Sequence, residues 1–357
     1  MEKLRSKNLT VITLTIRNNW LKKNDIYDLA SVTKICATTI SMMKLVEDGK
    51  VDLDEQISTY IPELRGTNKE KLIVRDVLAH HAGLKAWIPF YKETLTAKRP
   101  NSSLYSDTKK EGFSIEVTDR WYLKDNYVNE IWDQIIESPL GKTKTYKYSD
   151  LGFYICAKIV ENVSGQTLDR YASEIFYEPL GLRTTGFNPL NRFASYRIPP
   201  TEEDKYYRMQ KVQGYVHDMG AAMLGGISGH AGLFADAKDV AVIMQMLMNG
   251  GNYGGREYLK PETVKEFTTR YDKSTRRGLG FDMKELNPRL SQNVSKLASD
   301  NTFGHLGFTG ICTWADPDND LVYVFLSNRT YPTMNNNKLH KLDYRPRIQT
   351  AIYQALQ

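Results

Sequence analysis

The residues best placed to do chemistry are Ser31 and Lys34 in the stretch Tyr27-Asp28-Leu29-Ala30-Ser31-Val32-Thr33-Lys34. Apolar residues recur at helical spacing behind them (Ile35, Met42 or Met43, Val46) as far as Asp48-Gly49, so Ser31 is expected at the start of a helix that ends at a glycine. Residues three apart share a helix face, which sets the Lys34 amine beside the Ser31 hydroxyl. The positive end of the helix favours negative charge developing there. This is the arrangement of an activated serine nucleophile. The same spacing recurs at Ser41/Lys44 and Ser106/Lys109, but Ser41 lies inside the same helix and Ser106 in a polar stretch with no apolar period behind it.

Two further groups have chemical potential. Tyr148-Ser149-Asp150 immediately precedes a long amphipathic pattern ending at Gly165, and a packed element behind a residue can hold it in place. Its copy, Tyr105-Ser106-Asp107, leads only into Lys109-Lys110 and Gly112. His305-Leu306-Gly307 combines a strand pattern with a glycine that permits close backbone approach. The isolated histidines His80, His81, His217, His230 and His340 read as satisfied structural residues.

The elements that must position these groups follow in order. Leu9 to Ile16 reads as a strand, and Val74 to Leu78 as the start of a helix that stops at His80-His81-Ala82-Gly83-Leu84. Residues 86–147 interleave aromatics with charges (Trp87, Phe90, Tyr91, Tyr105, Tyr127, Trp132 among them) and read as a helical subdomain with its own small core. Residues 199–236 are glycine-dense, including Gly229-His230-Ala231-Gly232-Leu233-Phe234, and Asp239 to Met248 is an amphipathic helix. Gly278-Leu279-Gly280-Phe281 and the run Phe303 to Trp314 read as strands. A turn at Asp316 to Asp320 joins the latter to the apolar Leu321 to Leu326 as an antiparallel hairpin, and Arg347 to Leu356 closes the chain as a helix.

The chain has 357 residues, more than one typical domain, which suggests two packed units. It is 41% hydrophobic and 25% charged, and its 48 basic and 42 acidic residues give +6. The basic residues are scattered in twos and threes, so no nucleic-acid partner is expected. Cys36, Cys156 and Cys312 sit in apolar surroundings at no paired spacing, which reads as neither a disulfide framework nor a metal site. The N-terminal residues lack a signal-peptide core, and no run of about 18 apolar residues could span a membrane. Composition leaves the localisation unknown.

Taken together, Ser31/Lys34, Tyr148/Asp150 and His305/Gly307 resemble, in order and type, the three motifs of the serine β-lactamase and penicillin-binding-protein superfamily. The likeness is to the class C-like branch of esterases, D-aminopeptidases and D,D-peptidases. It extends over about residues 26 to 356, including Leu78 to Leu84. The glycine-histidine motifs around His230 and His305 resemble serine-hydrolase modules sometimes fused to N-acetylglucosaminidases.

The resemblance implies an α+β fold: an antiparallel sheet flanked by helices (1–85 and 230–357) plus a mostly helical subdomain with active-site loops (86–229). It implies Ser31 as acylated nucleophile, Lys34 as its amine and Tyr148 as general base, with a phenol pulled down by Lys34, Lys147 or Lys144. Asp150, His305, Gly307 and Phe308 would bind substrate, the N–H groups of Ser31 and Phe308 forming an oxyanion hole. No metal or organic cofactor is needed. The substrate would be an ester, a β-lactam or a D-amino-acid peptide, such as a cell-wall fragment.

Three departures stand out. Asp150 replaces the usual Asn, which should hold Lys34 protonated. His305 replaces the usual Lys, leaving a donor with a pH-dependent charge. Only 30 residues precede Ser31, where the branch has a helix and two strands, so a truncated domain is expected. The alternative to a hydrolase is a non-catalytic penicillin- or peptidoglycan-binding sensor.

Overall fold

The computed structural model describes residue 22 and residues 24–356. The strand expected at Leu9 to Ile16 lies outside the described residues.

The largest sheet has four antiparallel strands in the order Asp282–Met283, Phe303–Leu306, Cys312–Asp316, Leu321–Phe325. Its register pairs His305 with Thr313 and Trp314 with Tyr323. Side chains alternate across a strand, and the sequence uses that period twice. Leu321, Tyr323 and Phe325 join Cys312 and Trp314 on one face, covered by Tyr353 of the C-terminal Tyr344–Leu356 helix. Val322, Val324 and Ala315 face the other way, into the main core shared with the Ala237–Met248 helix. The hairpin and both covering helices agree with the sequence reading. Gly278 to Phe281 is not a strand; the edge strand is Asp282–Met283. Gly280 stands at φ 83°, a left-handed turn that breaks extended pairing just before it.

The segment carrying Ser31 is continuous but changes gauge. A 3-10 turn at Ala30–Val32 leads through a π-helical stretch at Lys34–Thr39 into the α-helix Ile40–Glu47. Every residue from Val32 to Met43 is buried. The helix ends as expected, at Gly49 with φ 68°. The strand before it, Tyr27–Asp28, pairs antiparallel with Leu233–Ala235, which pairs in turn with Gly186–Phe187. The glycine-histidine segment around residue 230 is therefore bound to the nucleophile segment.

A second core buries Phe90, Tyr91, Tyr105, Tyr127 and Tyr207 together with Ile26, Ala231 and Phe234, so it is not confined to residues 86–229. The Tyr127–Glu137 helix packs into it, whereas the Leu151–Ser164 helix places Leu151 and Tyr154 there but Ile155, Cys156, Ile159 and Val160 in the main core. A small three-stranded sheet, Tyr105–Ser106, Trp121–Leu123, Ile115–Thr118, is added to them, which the aromatic-rich sequence did not reveal. Both comparison serines bond to backbone carbonyls and not to the lysine three residues on. Ser41 is buried with its hydroxyl donating to Ala37 O at 2.7 Å, and Ser106 Oγ donates to Thr108 O at 2.7 Å.

Candidate active site

Ser31, Lys34, Tyr148 and Asp150 come together through direct side-chain contacts. The Lys34 ammonium is fully buried and has three partners for its three protons: Ser31 Oγ at 3.0 Å, Asp150 Oδ1 at 2.7 Å and His230 O at 3.2 Å. Tyr148 Oη donates to Ser31 Oγ at 3.1 Å. The Ser31 oxygen thus accepts from two donors and keeps its own proton for another partner.

Local structure explains the convergence. Ala30 stands at φ 44°, a left-handed conformation unusual for a residue with a Cβ, and its N–H donates to Asp28 Oδ1 at 2.8 Å. This turn presents Ser31 from the end of the Tyr27–Asp28 strand. Asp28 also receives the His217 N–H at 2.6 Å on Oδ2, while its carbonyl accepts from Thr309 Oγ1 at 2.9 Å. One residue therefore ties the nucleophile turn to two loops. Asp150 occupies the N-terminal position of the Leu151–Ser164 helix, yet its side chain makes no capping bond and reaches Lys34 instead.

Electrostatics correct two expectations. Burial raises the Tyr148 phenol above its ordinary value; Lys34 opposes this without reversing it. The expected depression of Tyr148 is therefore overturned, and Tyr148 rests as a proton donor. Lys144 does not serve it, since its ammonium pairs with Asp76 at 2.7 Å, and Lys147 is exposed. For Lys34, burial pulls downward but Asp150 and Tyr148 outweigh it, leaving the amine above its usual range, as the Asp150 substitution suggested.

His305 is the second correction. Its Nδ1 donates to Leu306 O at 2.7 Å, so Nε2 is the bare nitrogen, and it accepts from Arg277 Nη1 at 3.2 Å. Burial, then Arg277 and Lys34, push its pKa down to about 3. The ring is neutral, and the fixed cation beside it is Arg277. That guanidinium also lies over the Tyr148 ring, 5.2 Å from its centroid.

Gly307 lets the 303–310 segment approach the nucleophile turn: a Cβ there would run into Ile311 and come within 2.9 Å of Leu29 O. Phe308 follows, with its ring half exposed and its N–H without a backbone partner among the described residues. All seven residues singled out from the sequence thus belong to one neighbourhood.

Sequence reasoning missed Arg277 and the contact His80 makes with Tyr148. The His80 ring packs on Tyr148 with centroids 4.5 Å apart, and its Nδ1 accepts from Ser149 N at 3.1 Å. His217 and His230 are satisfied, as expected, by Glu202 at 2.8 Å and Asp218 at 2.8 Å. The Leu78 to Leu84 signature was the available signal for His80; Arg277 had none, because it reaches the site only through the fold. Among the described residues no cluster of His, Cys, Asp or Glu could hold a metal ion, and no helix is long and apolar enough to cross a membrane.

The family model described as Beta-lactamase matches residues 17–344. A protein from Salmonella agona named "Putative D-alanyl-D-alanine carboxypeptidase" is 34% identical over 337 residues, covering 89% of this chain and 72% of its own. Two solved structures share the fold. EstCE1, a hydrolase with promiscuous acyltransferase activity, has TM-score 0.59 and 19% identity, covering 86% of this chain and 81% of its own. A penicillin-binding protein homologue from Caulobacter crescentus has TM-score 0.58 and 20% identity, covering 85% and 78%. The chain belongs to the Beta-lactamase family, and it is a serine hydrolase.

Proposed function

We propose that this hydrolase acts through a Ser31 acyl-enzyme on peptide-like substrates with a D-alanyl residue at the scissile bond. The observation that carries the reading is the pair of donors, Lys34 at 3.0 Å and Tyr148 at 3.1 Å, on one serine oxygen. The substrate class is taken from the name of the 34%-identical relative. Ser31 Oγ attacks the carbonyl carbon, and the N–H groups of Ser31 and Phe308 receive the developing oxyanion. Tyr148, held as a phenol, protonates the departing amine. Water then releases the acyl group. Arg277 gives the pocket a fixed positive charge suited to a substrate carboxylate.

The test is release of free D-alanine from an N-acylated peptide ending in D-Ala-D-Ala, against its L-Ala-L-Ala counterpart and an aryl acetate. Release from the D,D peptide alone, lost in Ser31→Ala, is the expected result. Turnover of the aryl ester without D-alanine release would move the assignment to an esterase. A stable penicilloyl adduct without turnover of any substrate would move it to a sensor.

A further inference from the structure

The resting site has a nucleophile but no free base. Each proton of the Lys34 ammonium is matched to an acceptor, and Tyr148 is itself a donor to Ser31 Oγ. A group must accept a proton before Ser31 can lose one. The shortest contact of Lys34 is with Asp150 Oδ1, at 2.7 Å, and a carboxylate, unlike an amide, can take a proton. It makes no helix-capping bond to compete for its oxygens. Its side chain is 19% exposed while Lys34 is fully buried, so water can reach the carboxylate end of the pair and not the amine.

We propose that Asp150 is the proton reservoir of the site: it takes a proton from Lys34, and the neutral Lys34 amine then removes the proton from Ser31. The inference rests on the acyl-serine reading above. In the first step an N–H bond of Lys34 breaks and an O–H bond forms on Asp150. In the second, the Lys34 lone pair takes the Ser31 hydroxyl proton as Oγ bonds to the carbonyl carbon, whose π pair moves to oxygen. Collapse of the intermediate expels the amine with the Tyr148 proton. Lys34 reprotonates the phenolate, and Asp150 returns its proton to Lys34. The net transfer is one proton from Ser31 to the leaving group. Asp150 acts through Lys34 and is a positioning residue for the proton.

The charged and titratable groups that face Asp150 are Lys34 from the nucleophile helix and Tyr148 and Tyr154 from its own segment; the neighbouring His230 ring is engaged with Asp218.

The experiment is the rate of Ser31 labelling by an excess of a fluorophosphonate from pH 5 to pH 10, read as intact mass, in wild type, Asp150→Asn and Asp150→Glu, with melting temperatures to verify folding. In wild type the relay keeps the rate nearly level from pH 7 to pH 10. Asp150→Asn, near-isosteric, is expected to label about 10²-fold more slowly at pH 7. It should recover as pH rises, because burial without a carboxylate partner lowers the Lys34 pKa. Asp150→Glu should restore the wild-type profile. An Asp150→Asn profile parallel to wild type, whether or not reduced, would overturn the relay. Absence of labelling in wild type would instead overturn the acyl-serine reading.

Discussion

Arg277 Nη1 donates to His305 Nε2 at 3.2 Å, and this contact decides what the third motif can do. With Nδ1 committed to Leu306 O, the ring has no proton to offer toward Arg277 and carries no charge at neutral pH. The positive charge beside this motif rests one contact outward from the histidine, on a group that cannot lose it. Replacing Arg277 by Gln removes the second-largest influence holding the His305 pKa down. The His305 ring-proton NMR titration should then have a midpoint above the wild-type value of about 3. An unchanged midpoint would show that burial alone sets it.

The same group makes folding pH-dependent. The folded-state pKa of His305 lies near 3, below the ordinary value of 6.5. Between those values the unfolded chain binds a proton that the folded chain refuses. Stability therefore falls as pH drops through 6.5 toward 3, by on the order of a few kcal/mol if this group acts alone. Denaturant midpoints at pH 7 and pH 4.5 should differ less in His305→Asn than in wild type, although buried His80, also pushed down, leaves part of the dependence in place.

His80 supports Tyr148 from behind. It stands at φ 62°, packs at a tilt against the phenol ring and accepts the Ser149 N–H. His80→Asn suits the left-handed backbone and keeps an acceptor but removes the ring. The expected result is a fall of about 10- to 100-fold in kcat with a smaller change in KM, from loss of orientation at the reacting centre. Equal losses in KM and kcat, or none, would place His80 among purely structural residues.

Gly307 is a steric requirement. An alanine there would meet Ile311 and the Leu29 carbonyl, pushing the 303–310 segment away from the nucleophile turn and Phe308 N–H out of register. Gly307→Ala should lower the labelling rate by about 10²-fold or more, the scale of losing one oxyanion donor. A folded variant with wild-type rates would exclude Phe308 N–H from the site.

The sequence disclosed what is periodic or contiguous. The hairpin from Cys312 to Phe325 alternates faces legibly, the Ser31 helix ends at its glycine, and the seven motif residues converge. Hidden from it was whatever depends on long-range proximity. Arg277 reaches His305 only through the turn at Gly280, and the short strands at Tyr105, Ile115 and Trp121 are too brief for a period-two pattern. The direction of the Tyr148 shift was misread because burial, invisible in one dimension, outweighs the cations that the sequence suggested.

Activation of Ser31 is read out by intact-protein mass after incubation with a fluorophosphonate, in wild type, Ser31→Ala and Ser106→Ala. One adduct in wild type and Ser106→Ala, and none in Ser31→Ala, is the predicted result. An adduct that survives in Ser31→Ala, or no adduct on folded wild-type protein, would contradict it.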